Sequence, residues 1–192
     1  MMSGMLTREN ALELVRQYVK RGNLIKHVMA VEAIMRALAR ELGKDEELWG
    51  LAGLLHDIDF DETYNDARRH GLRSVEIIEE RAPGRVPEEI IGAIKSHNPE
   101  HSGRAPNNEI DFALLASDAV SGLVIAAALG LPSKKLADLR PENVARRFRE
   151  RDFAERCSRE NMALIERLGL SKERLFDLSL KALQRVHLDL EL

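Results

Sequence analysis

Four residues of metal-ligand type stand in stretches that otherwise predict apolar helices: His27, His56, Asp57 and Asp118. Burying an unpartnered imidazole or carboxylate is costly, and no Lys or Arg lies within a helical turn of Asp118. A divalent transition metal would pair with all four, and mixed imidazole and carboxylate ligands suit iron, manganese, cobalt, nickel or zinc. The four residues therefore indicate a site for one or two such ions.

Each of these residues also has an ordinary explanation when it is taken singly. A lone His beside an apolar stripe, such as His27, is more often a hydrogen-bonded core residue. The adjacent pair His56 and Asp57 could end a helix and reach water, as charged groups commonly do there. Asp118 could be a cap or part of a buried ion pair. A bound metal would explain the polar residues on all three helices at once, and we therefore favour the metal site.

The order of these residues resembles the HD-domain metal-dependent phosphohydrolases. That family has a His on an early helix, then an adjacent His-Asp pair, then an Asp on a long later helix. The segments LIKH, GLLHD and LASD around the four residues are similar to it as well, and the resemblance covers residues 23 to about 125. It implies an all-α, single-domain helical bundle in which metal-activated water cleaves a phosphoester or phosphoanhydride of a small phosphorylated substrate, a nucleotide.

Two further histidines bear on the number of ions. His70 and His97 match ligands of the family's di-metal subgroup, which includes the HD-type diadenosine tetraphosphatases. The resemblance implies that Asp57 bridges two ions ~3.5–4 Å apart. The alternative is that both histidines are ordinary polar residues at helix ends. His187 has no counterpart in the pattern, and we expect it to be structural.

The sequence departs from the family after the His-Asp pair. Many members read His-Asp-Ile-Gly-Lys, with the Lys near the substrate phosphate, whereas this chain reads HDIDF and has Phe60 at the last position. We expect Asp59 or Asp61 to act as a general acid or base. The expected phosphate-binding groups are Lys134, Lys135 and Arg147, although a solvated basic helix face would explain them equally well.

Two other functions are compatible with the same residues. Some HD proteins have a similar site and use a di-iron centre for oxygenation. A non-catalytic regulatory domain that binds a nucleotide is the second alternative, although the complete ligand set argues against it. Oxygen consumption would separate the oxygenase from the hydrolase.

The composition is that of a globular protein. The chain has 192 residues, which suits one domain over residues 1–192, and 44% of them are hydrophobic and 32% charged. A formal net charge of −3 argues against general nucleic-acid binding. Cys157 is the single cysteine and no signal-peptide pattern begins the chain, so we expect a cytoplasmic location. Residues 112–131 are long enough to span a membrane, but Asp118 near their middle favours a buried core helix.

Helical signals recur along the chain, and no stretch alternates like a strand. We expect Thr7 to begin a helix that Gly22 ends, Asn23 to cap the second helix and Asp45 to cap the third. The ligands would then lie in a core formed by residues 23 to about 125. Helices within residues 133–192 would pack on that core, and they are expected to begin near Pro141, Ser158 and Ser171.

Overall fold

The computed structural model describes residues 4–192, and within that range it contains helices and no strand. The helices, in chain order, are α1 Arg8–Tyr18, α2 Gly22–Leu42, α3 Glu46–Leu55, α4 Phe60–Thr63, α5 Leu72–Arg81, α6 Glu88–Ser96, α7 Pro99–Ser102, α8 Glu109–Leu129, α9 Pro141–Arg149, α10 Arg159–Ala163, α11 Lys172–Arg185 and α12 His187–Leu190. Short 3₁₀ segments lie at Leu136–Asp138 and Leu164–Leu168. The expectation of an all-α fold is confirmed.

Local capping chemistry begins several of these helices where the sequence predicts. The side chain of Thr7 accepts the backbone N–H of Asn10, and Asp45 accepts two backbone N–H groups in the first turn of α3. Ser158 and Ser171 cap α10 and α11 in the same way. Each cap satisfies a backbone donor that the first helical turn leaves unpaired.

The connection between α1 and α2 differs from the prediction. Gly22 does not end α1, and Asn23 does not cap α2; α1 ends at Tyr18, and Gly22 is the first residue of α2. Arg21 precedes α2 in an extended conformation. The reason is tertiary, because the carboxylate of Asp61 accepts the backbone N–H groups of Lys20 and Arg21 and holds this segment away from either helix.

The core is built around α2, α3 and α8. Helices α2 and α3 pack almost backbone to backbone, since a Cβ added at Gly53 would lie 2.9 Å from the Cα and N atoms of Glu32. Fully buried apolar side chains such as Ile34 and Leu54 fill the interior. Helix α8 contacts α2, α3 and α6, and it also contacts α9, α10 and α11. This packing brings helices that are distant in sequence against α8.

Helix α8 is also the one helix of the described residues that is long and apolar enough to cross a membrane, judged by length and composition alone. In the fold, 72% of the apolar 18-residue stretch of this helix is buried against other parts of the chain. Its surroundings are those of a core helix.

Candidate metal centre

The side chains predicted as metal ligands meet in and beneath one cleft of about 350 Å³. Its lining consists of Arg21, Asn23, Leu24, His27, Asp57, Phe60, His70, His97 and Asp118. His56, the sixth predicted ligand, is completely buried, and its Nε2 lies 3.4 Å from Oδ1 of Asp57. The structure thus brings all six residues together, from five different parts of the chain.

Each ligand side chain lies in a helix or in a turn next to one. His27 lies in the second turn of α2, His56 is the residue at which α3 ends, and Asp57 follows it in the next turn. His97 ends α6, and Asp118 lies in the middle of α8. His70 comes from the turn before α5. Because helix backbones are rigid, the helical packing itself sets the positions of most of the ligands.

The six residues form two groups, within each of which the ligand atoms lie no more than 4.8 Å apart. The first contains His27, His56 and Asp118, and the second contains Asp57, His70 and His97. Asp57 also reaches the first group, because its Oδ2 lies 3.6 Å from His27 Nε2 and its Oδ1 lies 3.3 Å from His70 Nε2. Its carboxylate therefore stands between the groups, where a bridging ligand would stand.

All four histidines engage Nδ1 with a protein acceptor and direct Nε2 towards the cluster. The acceptors are Gly53 O for His56 (2.8 Å), Ile94 O for His97, Asp59 Oδ1 for His70 (2.9 Å) and Ser121 Oγ for His27 (3.4 Å). For His56 and His97 the acceptor is a carbonyl oxygen, which can only accept a hydrogen bond, so Nδ1 carries the proton and Nε2 presents its lone pair. Partners of this kind fix the tautomer and ring orientation of metal-binding histidines.

The donor set fits a divalent transition metal. His56 Nε2 is buried and has no hydrogen-bond partner in the part of the chain that the structure describes. A buried polar atom without a partner is costly, and such an atom in a native fold often marks a site for an ion. A cation held by His56, His27 and Asp118 would satisfy this nitrogen, and neutral imidazole with carboxylate suits iron, manganese, cobalt, nickel or zinc.

Burial and neighbouring charge also set the protonation states. Burial lowers the pKa of His56 and so favours its neutral, metal-binding form. Burial acts to raise the pKa of Asp57, but His56, His70 and His97 outweigh it and hold that pKa well below its usual range. Burial acts to lower the pKa of His70, but hydrogen bonds to Asp57 and Asp59 outweigh it and raise that pKa to about 10. The carboxylate of Asp57 is therefore ionised and available as a ligand.

Asp59 is placed differently from the expected general acid or base. It is fully buried, and its Oδ2 accepts the backbone N–H groups of Gly71 (2.7 Å) and Ser74 (3.1 Å). Its Oδ1 accepts the Nδ1 proton of His70. A general acid or base must reach the proton that it transfers, and Asp59 does not line the cleft. Its position instead orients His70 and secures the turn that carries it.

Asp61 also bonds to residues outside the cluster of metal ligands. It forms an ion pair with Arg21 and accepts the backbone N–H of Lys20 at 2.7 Å. It is not among the residues that line the cleft. This placement gives Asp61 a part in holding Arg21 and does not support a role in proton transfer.

The three predicted phosphate-binding residues lie outside the cleft. Lys134 and Lys135 line a separate cavity with His187, and Arg147 pairs with Glu150 at 2.6 Å. The reason is the length of α8, because the helix rises ~16 Å from its middle, where the Asp ligand lies, to its end at Leu129. The basic residues that follow in sequence are therefore carried away from the site.

The structure adds residues that the sequence analysis did not assign. Arg21 and Phe60 line the cleft, and Ser121 accepts the Nδ1 proton of His27. Ser121 comes three residues after Asp118, so both lie on one helix face, and this spacing could have indicated that Ser121 is near the site. Nothing in the sequence singles out Arg21, since its position depends on the tertiary contact with Asp61.

Comparisons with known proteins agree with this site. The family model described as HD domain matches residues 24–146. Ribonuclease Y of Nitratidesulfovibrio vulgaris (strain DP4) is 32% identical over 129 residues, which are 66% of this chain and 23% of that protein. Ribonuclease Y of Bacillus thuringiensis (strain Al Hakam) is 31% identical over 156 residues, or 75% of this chain and 27% of that protein. The chain thus spans about a quarter of the length of these relatives, and no solved structure matches significantly.

The matched segment covers more than half of the chain and contains all six ligand candidates, from His27 to Asp118. The family consists of metal-dependent phosphohydrolases, which agrees with a cluster of histidines and aspartates that can hold divalent ions. By its sequence match the chain belongs to the HD domain family.

Proposed function

We propose that the protein is a metal-dependent phosphohydrolase that cleaves a phosphoester or phosphoanhydride bond in a small phosphorylated substrate, a nucleotide. One observation carries the proposal: four histidine Nε2 atoms and two carboxylates converge on one cleft, and every Nδ1 is engaged by the protein. Side chains locked in this way bind a metal without further ordering, which is what a catalytic metal site requires.

The ligands divide naturally between two ions. His27, His56 and Asp118 would hold one, and His70 and His97 would hold the other, with Asp57 shared. When bound, divalent ions of this kind lower the pKa of water towards ~7 and polarise phosphate oxygens. Two divalent charges against two ligand carboxylates leave the centre positive overall, so a phosphate group is the natural occupant of the cleft.

The surroundings of the cleft support a nucleotide as the substrate. Phe60 lines the cleft, and the ring of Tyr64 lies 6.2 Å from it, with the Tyr64 residue 64% exposed. Aromatic faces of this kind stack on nucleobases, and each stacked base contributes ~1–3 kcal/mol. A substrate that carries both a phosphate and a base would use the centre and this rim together.

An RNA substrate is the second candidate. The observation that favours it is the similarity to several proteins named Ribonuclease Y, which extends over 66–75% of this chain. The net charge of −3 counts against a general affinity for nucleic acid. We therefore place RNA second and keep a cytoplasmic enzyme with a small substrate as the proposal.

The test is a hydrolysis screen of purified protein, stripped of metal and reconstituted in turn with manganese, iron, cobalt, nickel and zinc. Substrates are nucleotides, dinucleoside polyphosphates, cyclic nucleotides and a short RNA, with the Asp57→Ala variant as the control. Metal-dependent release of product from a small substrate, by the wild type and not by the variant, supports the proposal, whereas release from the RNA alone would favour the second candidate. Oxygen consumption with iron would replace it with the oxygenase. Nucleotide binding without turnover under every metal would replace it with a regulatory domain.

A further inference from the structure

We infer that Arg21 binds the substrate phosphate beside the metal ligands and that Asp61 positions the guanidinium for this purpose. The inference rests on the proposed function, because it names the phosphate ligand of the same cleft. Among the described residues that line the cleft, Arg21 alone carries a permanent positive charge. Its side chain is 41% exposed, so a solute can reach it.

The way in which Asp61 holds Arg21 leaves the outer edge of the guanidinium available. Oδ1 of Asp61 accepts the Nε–H, and Oδ2 accepts the backbone N–H groups of Lys20 (2.7 Å) and Arg21 (3.4 Å). A guanidinium has five N–H donors, and this arrangement uses one. The Nη1 and Nη2 donors have no acceptor among the described residues, and together they form the fork that matches two phosphate oxygens.

The Phe60 ring lies next to both the guanidinium of Arg21 and the metal ligand His70. The Cζ atom of Arg21 lies 5.4 Å from the centre of the Phe60 ring, and that ring lies 5.4 Å from the ring of His70. Tyr64 adds a second aromatic face at 4.6 Å from Cζ. Cation–π contacts of this kind hold the flat guanidinium in place. A phosphate bound by the Nη atoms would therefore lie beside the centre rather than at a distant surface.

The pairing with Asp61 also predicts how Lys would behave at position 21. Asp61 already neutralises the formal charge of Arg21, so the contribution of Arg21 comes mainly from the direction of its free donors. An ammonium is a point charge without a fork, and it could pair with Asp61 or with a phosphate but not with both in the same geometry. The Arg21→Lys variant should therefore recover only part of the function.

The decisive experiment measures the affinity of metal-reconstituted protein for inorganic phosphate by calorimetry. We expect Arg21→Ala to weaken binding about tenfold to a hundredfold, the usual effect of losing charge-assisted hydrogen bonds. Metal content and circular dichroism should stay at the wild-type values. The matched control is Arg68→Ala, because Arg68 also pairs with an aspartate, Asp66 at 3.1 Å, but is 83% exposed and does not line the cleft.

A second arm tests the positioning role of Asp61. Alone, Asp61→Asn should weaken phosphate binding, because the guanidinium is then free to turn away. In the Arg21→Ala background the same substitution should have no further effect, since Asp61 acts through Arg21. An additional loss of affinity in the double variant would show that Asp61 contributes separately and would overturn this part of the inference.

The outcomes separate this inference from the proposed function. Wild-type phosphate affinity in Arg21→Ala, or no phosphate binding by the metal-loaded wild type, would overturn the inference. Phosphate binding that depends on Arg21, together with no hydrolysis of any substrate, would overturn the proposed function and leave the inference standing. Arg21→Lys guards against a folding defect, because it preserves the charge and the aliphatic stem.

Discussion

The Nε2 atoms of His70 and His97 face each other at 3.0 Å. His97 donates its Nδ1 proton to Ile94 O and His70 donates its own to Asp59, so both Nε2 atoms present lone pairs when the rings are neutral. Two lone pairs at this distance repel unless a positive charge lies between them. A proton on His70 can supply this charge, as the raised pKa of His70 indicates. A metal ion bound to both rings would supply more positive charge and bond to both nitrogens.

The first prediction concerns the number of ions. Both His70→Ala and His97→Ala should lower the bound metal from near two equivalents towards one, because each removes a ligand of the second group. His187→Ala is the control, since His187 is exposed and its Nδ1 bonds only Gln184 O. Elemental analysis at neutral pH measures the stoichiometry. Wild-type metal content in both ligand variants would mean that the site is mononuclear or built from other residues, and the bridging role of Asp57 would have to be withdrawn.

The second prediction concerns pH. The pKa of His70 is raised to about 10, so in the neutral range an incoming ion must displace a proton from it. The apparent affinity for the second ion should therefore fall as the pH falls, about tenfold for each pH unit between roughly pH 9 and pH 7. Metal titrations in a chelator-buffered series measure this slope. An affinity that is constant across the range would contradict the displacement of a proton.

The third prediction concerns Asp57. Asp57→Ala should abolish hydrolysis while largely keeping the fold, because the charged partners of its carboxylate within residues 4–192 are histidines of the cluster. Phosphatase assays and circular dichroism on the same preparation decide the matter. Turnover at the wild-type rate would rule out the assigned role, and loss of helical signal would show that Asp57 supports the core.

The fourth prediction separates the two aspartates that follow the pair. Asp59→Asn should weaken the binding of the second ion about tenfold to a hundredfold, the usual effect of altering a residue that orients a ligand. Asp61→Asn should leave metal affinity unchanged, because Asp61 contacts Arg21 and no ligand. Metal titrations of the two variants side by side test this contrast. Equal effects of the two substitutions would contradict it.

The fifth prediction concerns the packing of α2 against α3. Gly53→Ala should lower the free energy of unfolding by about 1–3 kcal/mol, because the added Cβ would lie 2.9 Å from the backbone of Glu32, which cannot yield like a side-chain tip. Gly22→Ala is the control, because nothing lies within 4 Å of a Cβ added there. Its effect should stay below about 1 kcal/mol. Urea denaturation of both variants measures the difference, and equal stability of Gly53→Ala and the wild type would contradict the close packing.

The sequence by itself determined the helices that begin with a local cap and the family to which the chain belongs. Thr7, Asp45, Ser158 and Ser171 cap helices through backbone groups two or three residues away, so the pattern and the contact are both local. The candidate ligands were visible because a His or Asp within an apolar helix needs a partner, and their order along the chain matches the HD domain.

Only the tertiary structure decided the parts of Asp59, Asp61 and Arg21. Asp59 and Asp61 are alike in type and close in sequence, yet one supports His70 and the other holds Arg21, which lies 40 residues away along the chain. The basic residues that follow α8 were predicted to bind phosphate, but the length of the helix carries them out of the cleft. Such roles depend on which distant segments pack together, and that information lies in the summed packing of the helices rather than in any local pattern.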